Sequence, residues 1–389
     1  MALSLTQNRG TPVDRQYFTW REMVQTPISK LDDDAFTRVR VILMNGVELE
    51  AVRFGHTAAR RNLQLRVPLA EIRRVEHQQA TMVNWLLGAD HSPLETTIAY
   101  EQVAIEVTAA LARREPDPYI AANLRFGLLE DFDHLYRYSA LLDRLTGMDA
   151  NNILQCYTDI LPGRPTVIEH RAPPDNVRRP MDKRAAQTLS KLHALTITAG
   201  EQQTQNYYLN IGPTFADPLA RQLYAEIASI EEQHVTQYES LLDPSMSLLE
   251  DWLLHEANEA YLYYGAMQQE TNPRIKAVWE RMLDYELGHF NYVARLFEEH
   301  EGRDVQELFP NDLPDPFPYE SNREFVRETL AREVDLRASG TEIVPLEEDP
   351  DSSIEYRRQL NADGSPSERV AENYRYTSGT ELNRLGAAA

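Results

Sequence analysis

Glutamate, aspartate and histidine return along this chain at fixed intervals, and their side chains bind metal ions. Glu201, Pro218 and the pair Glu231-x-x-His234 come back as Glu256, Pro273 and Glu286-x-x-His289, each shifted by 55 positions. The same set stands 100 positions upstream as Glu101, Pro118 and Asp131-x-x-His134. A constant shift in chemically active residue types marks a repeated structural unit. Carboxylates and neutral imidazoles together suit iron and manganese. Two copies of the unit supply four carboxylates and two imidazoles, the ligand set of a dinuclear iron or manganese site enclosed by helices. Glu259, one turn beyond Glu256, is either a further carboxylate ligand or a solvated acid on the helix face. Glu130 competes with Asp131, being four residues before His134, but Asp131 keeps the register of the repeat.

The elements that must position these residues are helical hairpins. Each proline reads as the first residue of a helix, where its missing N–H is not needed. In the third hairpin the turn falls near Ala216, about 15 residues from both Glu201 and Glu231. The chain therefore climbs and descends roughly 22 Å, bringing the first glutamate level with the Glu-x-x-His pair. Residues three apart share a helix face, so the Glu and His of each pair point the same way. The expected fold is all-α, a helical bundle of ligand-bearing hairpins with an extended C-terminal tail.

Residues 1–32 read as an N-terminal arm, ordered or loose. Residues 33–146 hold two hairpins, with helices at 33–60, 68–87, 92–115 and 117–146. Gly46 stands in the middle of the first helix, where glycine is a weak helix former, and Ser92 with Glu95 forms a capping box. Aligned on Pro68, the first hairpin carries Ala51, Thr81 and Asn84 at its ligand positions and so reads as empty. Glu76 and His77 fall off that register and read as surface or structural residues. Residues 147–181 are a proline-rich connection in which His170 is incidental. Residues 182–300 hold hairpins three and four, with helices at 182–211, 218–242, 247–271 and 273–300. Residues 301–389 form an acidic tail, wrapping a neighbour or disordered, with one short helix near 321–338.

Aromatic residues recur in the same register. Tyr208 and Tyr263 follow their glutamates by seven residues, Tyr224 and Trp279 precede the motif glutamates by seven, and Tyr138 and Tyr238 follow the motif histidines by four. They are core aromatics, or some of them hydrogen-bond a ligand or carry an oxidising equivalent. Which hairpins face each other is open at this level. Only 22 residues separate His234 from Glu256, which allows a tight turn but no long crossover. The 67 positions between His134 and Glu201 do allow one, so hairpins two and three are able to build a complete site. The fourth hairpin then pairs with its twin in a homodimer or stands alone. Glu201, Glu231 and His234 belong to either arrangement.

The charge balance of 39 basic against 61 acidic residues gives −22, which disfavours nucleic acid and anionic lipid as partners. The single cysteine, Cys156, excludes an internal disulfide and a Cys-ligated zinc or iron–sulfur centre. No apolar run approaches a membrane span, and no leader-like apolar segment opens the sequence, so a cytoplasmic protein is expected.

The series Glu … Glu-x-x-His … Glu … Glu-x-x-His resembles the ferritin-like di-iron carboxylate superfamily, and Glu256-x-x-Glu259 ahead of Glu286-x-x-His289 is similar to rubrerythrins. The resemblance runs from Glu101 to His289 and departs in three ways. It has three ligand-bearing hairpins, a short spacing between the last two, and no rubredoxin-type Cys₄ domain. The resemblance implies two iron ions, alternatively manganese, and redox chemistry with O₂ or peroxide on an unidentified small molecule. Three functions compete: a di-iron oxidase or oxygenase, an iron-handling or peroxide-detoxifying protein similar to manganese catalase, and a non-enzymatic scaffold with vestigial ligands.

Overall fold

The computed structural model describes residues 3–377. It is all-α apart from one two-stranded antiparallel ribbon, β1 (Arg337–Ser339) and β2 (Glu342–Val344). A one-turn helix α1 (Trp20–Met23) lies in the N-terminal arm. Eight long helices follow as four hairpins. The first is α2 (Ala35–Arg61) with α3 (Arg66–Asn84), and the second is α4 (Pro93–Arg114) with α5 (Pro118–Thr146). After a one-turn helix α6 (Asn151–Leu154) come α7 (Thr188–Ile211) with α8 (Pro218–Glu239), then α9 (Leu248–Gln269) with α10 (Pro273–Glu301). Three shorter helices close the chain: α11 (Arg323–Glu333), α12 (Asp351–Leu360) and α13 (Pro366–Ala371).

The helix starts obey the local chemistry. Pro118, Pro218 and Pro273 each occupy the first helical position, behind Asp117, Asp217 and Asn272, whose side chains accept from the free backbone N–H groups. Ser92–Glu95 and Ser247–Glu250 form capping boxes. Pro68 departs from this pattern. It is the third residue of α3, so it does not mark where that helix begins. Along α5 the heptad-spaced Leu128, Leu135 and Leu142 are wholly buried. Each contributes about 1.5–3 kcal/mol of hydrophobic stabilisation.

The hairpins pair in a nested order. Hairpins two and three meet through α4 against α7 and α5 against α8, and hairpins one and four meet through α2 against α9. The two four-helix groups share a seam in which α2 packs along α7 and α4, and α7 along α9. Gly46 lies in that seam. A Cβ there would stand 2.3 Å from Gln203 Oε1 and 3.0 Å from the carbonyl oxygen of Ala199, so the glycine marks a close approach of α2 to α7. Residues 147–187 supply the crossover, laid against α5, where Asp133 accepts from the backbone N–H of Gly163 at 3.0 Å and of Thr166 at 2.7 Å.

The described segments before α2 and after α10 fold onto the chain itself. The N-terminal arm buries Leu3, Leu5, Val13 and Phe18 and crosses α10 at Gly288, where a Cβ would meet the carbonyl oxygen of Thr11 at 2.0 Å. The C-terminal segment, open in the sequence between a wrapping and a disordered tail, packs α11 on α5 and α4, and α13 on α8 and α5. Residues 378–389 lie outside the described residues. The expected helix near 321–338 is α11. No described helix is long and apolar enough to cross a membrane.

Candidate metal centres

Helices α4, α5, α7 and α8 bring the ligands of hairpins two and three to one level. Asp131, Glu201, Glu231 and His234 place one ligand atom each within 4.8 Å of one another, and Glu101, His134 and Glu231 do the same. The two groups share Glu231, so this first cluster could hold two adjacent cations with that carboxylate common to both. Its ligands are at most 1% exposed.

The donor set is short of hydrogen-bond partners. Both carboxylate oxygens of Asp131, Glu201 and Glu231 lack a hydrogen bond, as do Glu101 Oε2 and the Nδ1 atoms of His134 and His234. Orphaned buried acceptors are costly unless a cation or proton lies among them. His234 Nδ1 lies 3.2 Å from Asp131 Oδ1, 3.3 Å from Glu231 Oε2 and 3.6 Å from Glu201 Oε2, and His134 Nδ1 lies 3.0 Å from Glu231 Oε1. Two ligand atoms about 2.1 Å from one ion and at right angles are about 3.0 Å apart. The separations thus match ligands grouped around common ions.

The outer nitrogens fix which face each imidazole turns inward. His234 Nε2 donates to Glu130 at 2.7 Å, and Glu130 is held by Arg171 at 2.5 Å and Arg164 at 3.2 Å. Burial alone would raise the Glu130 carboxyl, but the Arg171 charge, the His234 bond and the Arg164 charge hold it far below the usual range. His134 Nε2 bonds Glu169 at 2.8 Å. With Nε2–H engaged outward, the Nδ1 lone pair of a neutral imidazole is turned toward the carboxylates, where a cation would sit. Asp131 therefore holds the place the repeat predicts, and Glu130 orients a histidine instead. Arg164, Glu169 and Arg171 come from the crossover, where the sequence carries no helical period to place them.

Helices α2, α3, α9 and α10 form a second site. Glu76, Glu256, Glu286 and His289 make one group of ligand atoms, and Glu48, Glu76, Glu259 and Glu286 make another. The fourth hairpin therefore neither stands alone nor awaits a twin, because the first hairpin is its partner. The expectation that the first hairpin is empty is also overturned. Glu76 and Glu48 are buried to 1% and 0%, whereas His77 is exposed. Alignment on Pro68 gave the wrong register. A shift of 55 takes Asp131-x-x-His134 onto Glu76-x-x-Gln79, the same interval that relates hairpins three and four. Glu48 stands 53 before Glu101.

Here His289 Nε2 bonds Gln16 Oε1 at 2.6 Å, while the Gln16 amide nitrogen donates to the carbonyl oxygens of Thr11 and Tyr285. Gln16 oxygen must accept, so His289 Nδ1 faces inward, 2.8 Å from Glu76, 3.0 Å from Glu286 and 3.6 Å from Glu256. Gln79 donates to Glu48 and Glu286, and Trp252 Nε1 donates to Glu256 at 2.6 Å.

The aromatic residues divide. Tyr208 donates its hydroxyl to Glu101, and Tyr263 donates to Glu48, each reaching across to the partner hairpin. Tyr224 bonds Thr97 at 2.6 Å and Trp279 donates to Glu270 at 3.2 Å, so neither bonds a ligand. Tyr138 packs its ring on Tyr208 and Tyr224, and Tyr238 lies tilted beside His234 with centroids 6.3 Å apart. His193 bonds Glu115 and His255 bonds Glu50, and neither belongs to any of these groups of ligand atoms. His170 is buried, and burial with the Arg171 charge lowers it to about 4.

Without a cation, protons must neutralise these clusters. Burial raises Glu101, Glu201, Glu48, Glu76, Glu256 and Glu259 well above the ordinary carboxylate value, with neighbouring carboxylates adding to it. Burial opposes charge on His134 and His234, but the carboxylates around them raise both well above the usual imidazole value. Burial also works against ionised Glu231, but the His134 and His234 imidazoles, 3.0 and 3.3 Å away, outweigh it, taking this group to about 2. Each site also touches a cavity of about 10 Å³, beside Glu201 in the first and beside Glu76, Glu256 and Glu259 in the second. That is room for one water-sized molecule. Comparison with protein-family models, curated proteins and solved structures finds no match for this chain.

Proposed function

We propose that this protein is a ferritin-like, dinuclear iron oxidase or oxygenase that reacts with O₂ or peroxide at the first site. One observation carries the reading: six buried groups converge with seven carboxylate oxygens and both Nδ1 atoms without a hydrogen bond, and outer bonds turn both imidazoles so that Nδ1 faces in. Glu101, Asp131, His134, Glu201, Glu231 and His234 would hold the ions, with manganese as the alternative metal. Bound iron supplies one-electron chemistry toward dioxygen or peroxide. Glu231 serves both positions, Glu130 and Glu169 hold the imidazole tautomers, and Tyr208 orients Glu101 with its hydroxyl. The cavity of about 10 Å³ beside Glu201 has room for a molecule of about the size of water or dioxygen. An organic donor is better accommodated in the pocket of about 690 Å³ at the α7–α8 turn, whose wall includes Tyr208, Phe215 and Tyr224. It would meet the site through Tyr208.

The enclosed ligands favour a second reading, iron handling or peroxide removal without an organic substrate. Anaerobic Fe(II) loading followed by mixing with O₂ or peroxide separates the possibilities. Iron uptake that is lost in Glu231→Ala, with oxidant consumption, supports the proposal. Peroxide consumption without any organic donor selects the second reading. An iron-loaded protein inert to both oxidants would sink both.

A further inference from the structure

The two sites are built on one plan but differ at two positions, and those differences bear on what each would bind. The shift of 55 relates His134 to Gln79 and Thr204 to Glu259. One imidazole is therefore replaced by an amide that donates to Glu48 and Glu286, and one hydroxyl by a carboxylate. The first site offers four carboxylates and two imidazoles, and the second offers five carboxylates and one imidazole. The acids of the second site are not merely clustered. Both oxygens of Glu76, together with Glu48 Oε2, Glu256 Oε2 and Glu259 Oε2, are buried without a hydrogen bond, and the residues are at most 2% exposed. Glu76 and Glu286 belong to both ligand groups and would bridge two positions.

We propose that Glu48, Glu76, Glu256, Glu259, Glu286 and His289 form a second, harder metal site in the same chain, one that discriminates less than the first between Mn²⁺ and Fe²⁺. Nitrogen donors strengthen the preference for iron over manganese, whereas carboxylates suit manganese. Removing one imidazole and adding one carboxylate moves the balance toward Mn²⁺. The inference rests on reading these residues as metal ligands, and it is independent of any reaction with oxidant.

The experiment is competitive anaerobic loading of the full chain with Mn²⁺ and Fe²⁺, read as metal content and Mn²⁺ electron paramagnetic resonance. It compares wild type, Glu231→Ala and the double variant Glu76→Gln with Glu286→Gln. The wild type should take about four ions per chain. The double variant should lose Mn²⁺ affinity at least tenfold while keeping iron at the first site, and Glu231→Ala should do the reverse. Gln79→His with Glu259→Thr copies the first site's ligands into the second. It should lower the Mn²⁺-to-Fe²⁺ affinity ratio about tenfold. Circular dichroism establishes that each variant is folded. Unchanged Mn²⁺ uptake in the folded double variant would overturn the second site and leave the proposed function standing. Loss of all metal in the double variant, with none lost in Glu231→Ala, would overturn the proposed function and leave the second site. An unchanged ratio in Gln79→His with Glu259→Thr would overturn the stated preference.

Discussion

A buried imidazole presents to a metal whichever nitrogen its surroundings leave free, so the partners of His134, His234 and His289 matter as much as the ligands. Glu169, Glu130 and Gln16 take the three outer bonds. Replacing Glu169 with leucine strands the outer N–H of His134 and should weaken metal binding at the first site by roughly 10–100-fold. Glu169→Gln retains an acceptor and should recover most of it, as titration calorimetry with Fe²⁺ would read. Equal losses in the two variants would mean that Glu169 acts through packing alone. Tyr208→Phe removes the hydroxyl that donates to Glu101 while keeping the buried ring. It should slow the reaction with oxidant more than it changes iron content.

At the scale of the element, the hairpins bring glutamates 30 residues apart to one height, and the seam between the two bundles keeps the sites in one body. Gly46 sits where α2 meets α7 most closely. Gly46→Ala forces Gln203, whose amide donates to Tyr100 at 2.8 Å, to move or the helices to part. The expected cost is about 1–3 kcal/mol, measured by chemical denaturation. No change in midpoint would show that the seam has slack that the packing does not reveal.

At the scale of the whole molecule, metal and proton compete for the same buried charge. The raised carboxyls and histidines bind protons more tightly folded than unfolded. Their stabilisation is full below the unfolded values, 4.5 for the glutamates, and is lost as pH rises through the raised folded values. Glu231, lowered to about 2, has the opposite sign, but its contribution is lost only as pH falls below 4.5. His56, His91 and His170, lowered by burial, oppose the trend near neutrality but are outnumbered by the raised histidines and carboxyls. The metal-free chain should therefore melt at a lower temperature at about pH 8 than at about pH 5, and added Mn²⁺ or Fe²⁺ should stabilise it most at the higher pH. A melting temperature that rises with pH in the presence of chelator would contradict this account.

The sequence by itself determined the local terms. Proline and cap residues set where the helices begin, and the Glu … Glu-x-x-His spacing put each hairpin's ligands on one face. That much follows from helix geometry, which acts over a few residues. The register of the first hairpin was also present, as Glu76-x-x-Gln79 shifted by 55 from Asp131-x-x-His134, but Pro68 obscured it by standing at the third helical position. Only the tertiary structure decided which hairpins face each other. The pairing of hairpin one with hairpin four joins Glu48 to Glu286 across 238 positions. Shape complementarity at the α2–α7 seam is part of that choice, and no local pattern records it. The same holds for Arg164, Glu169, Arg171 and Gln16. They lie in irregular segments, and their roles exist only once burial leaves a histidine nitrogen without water.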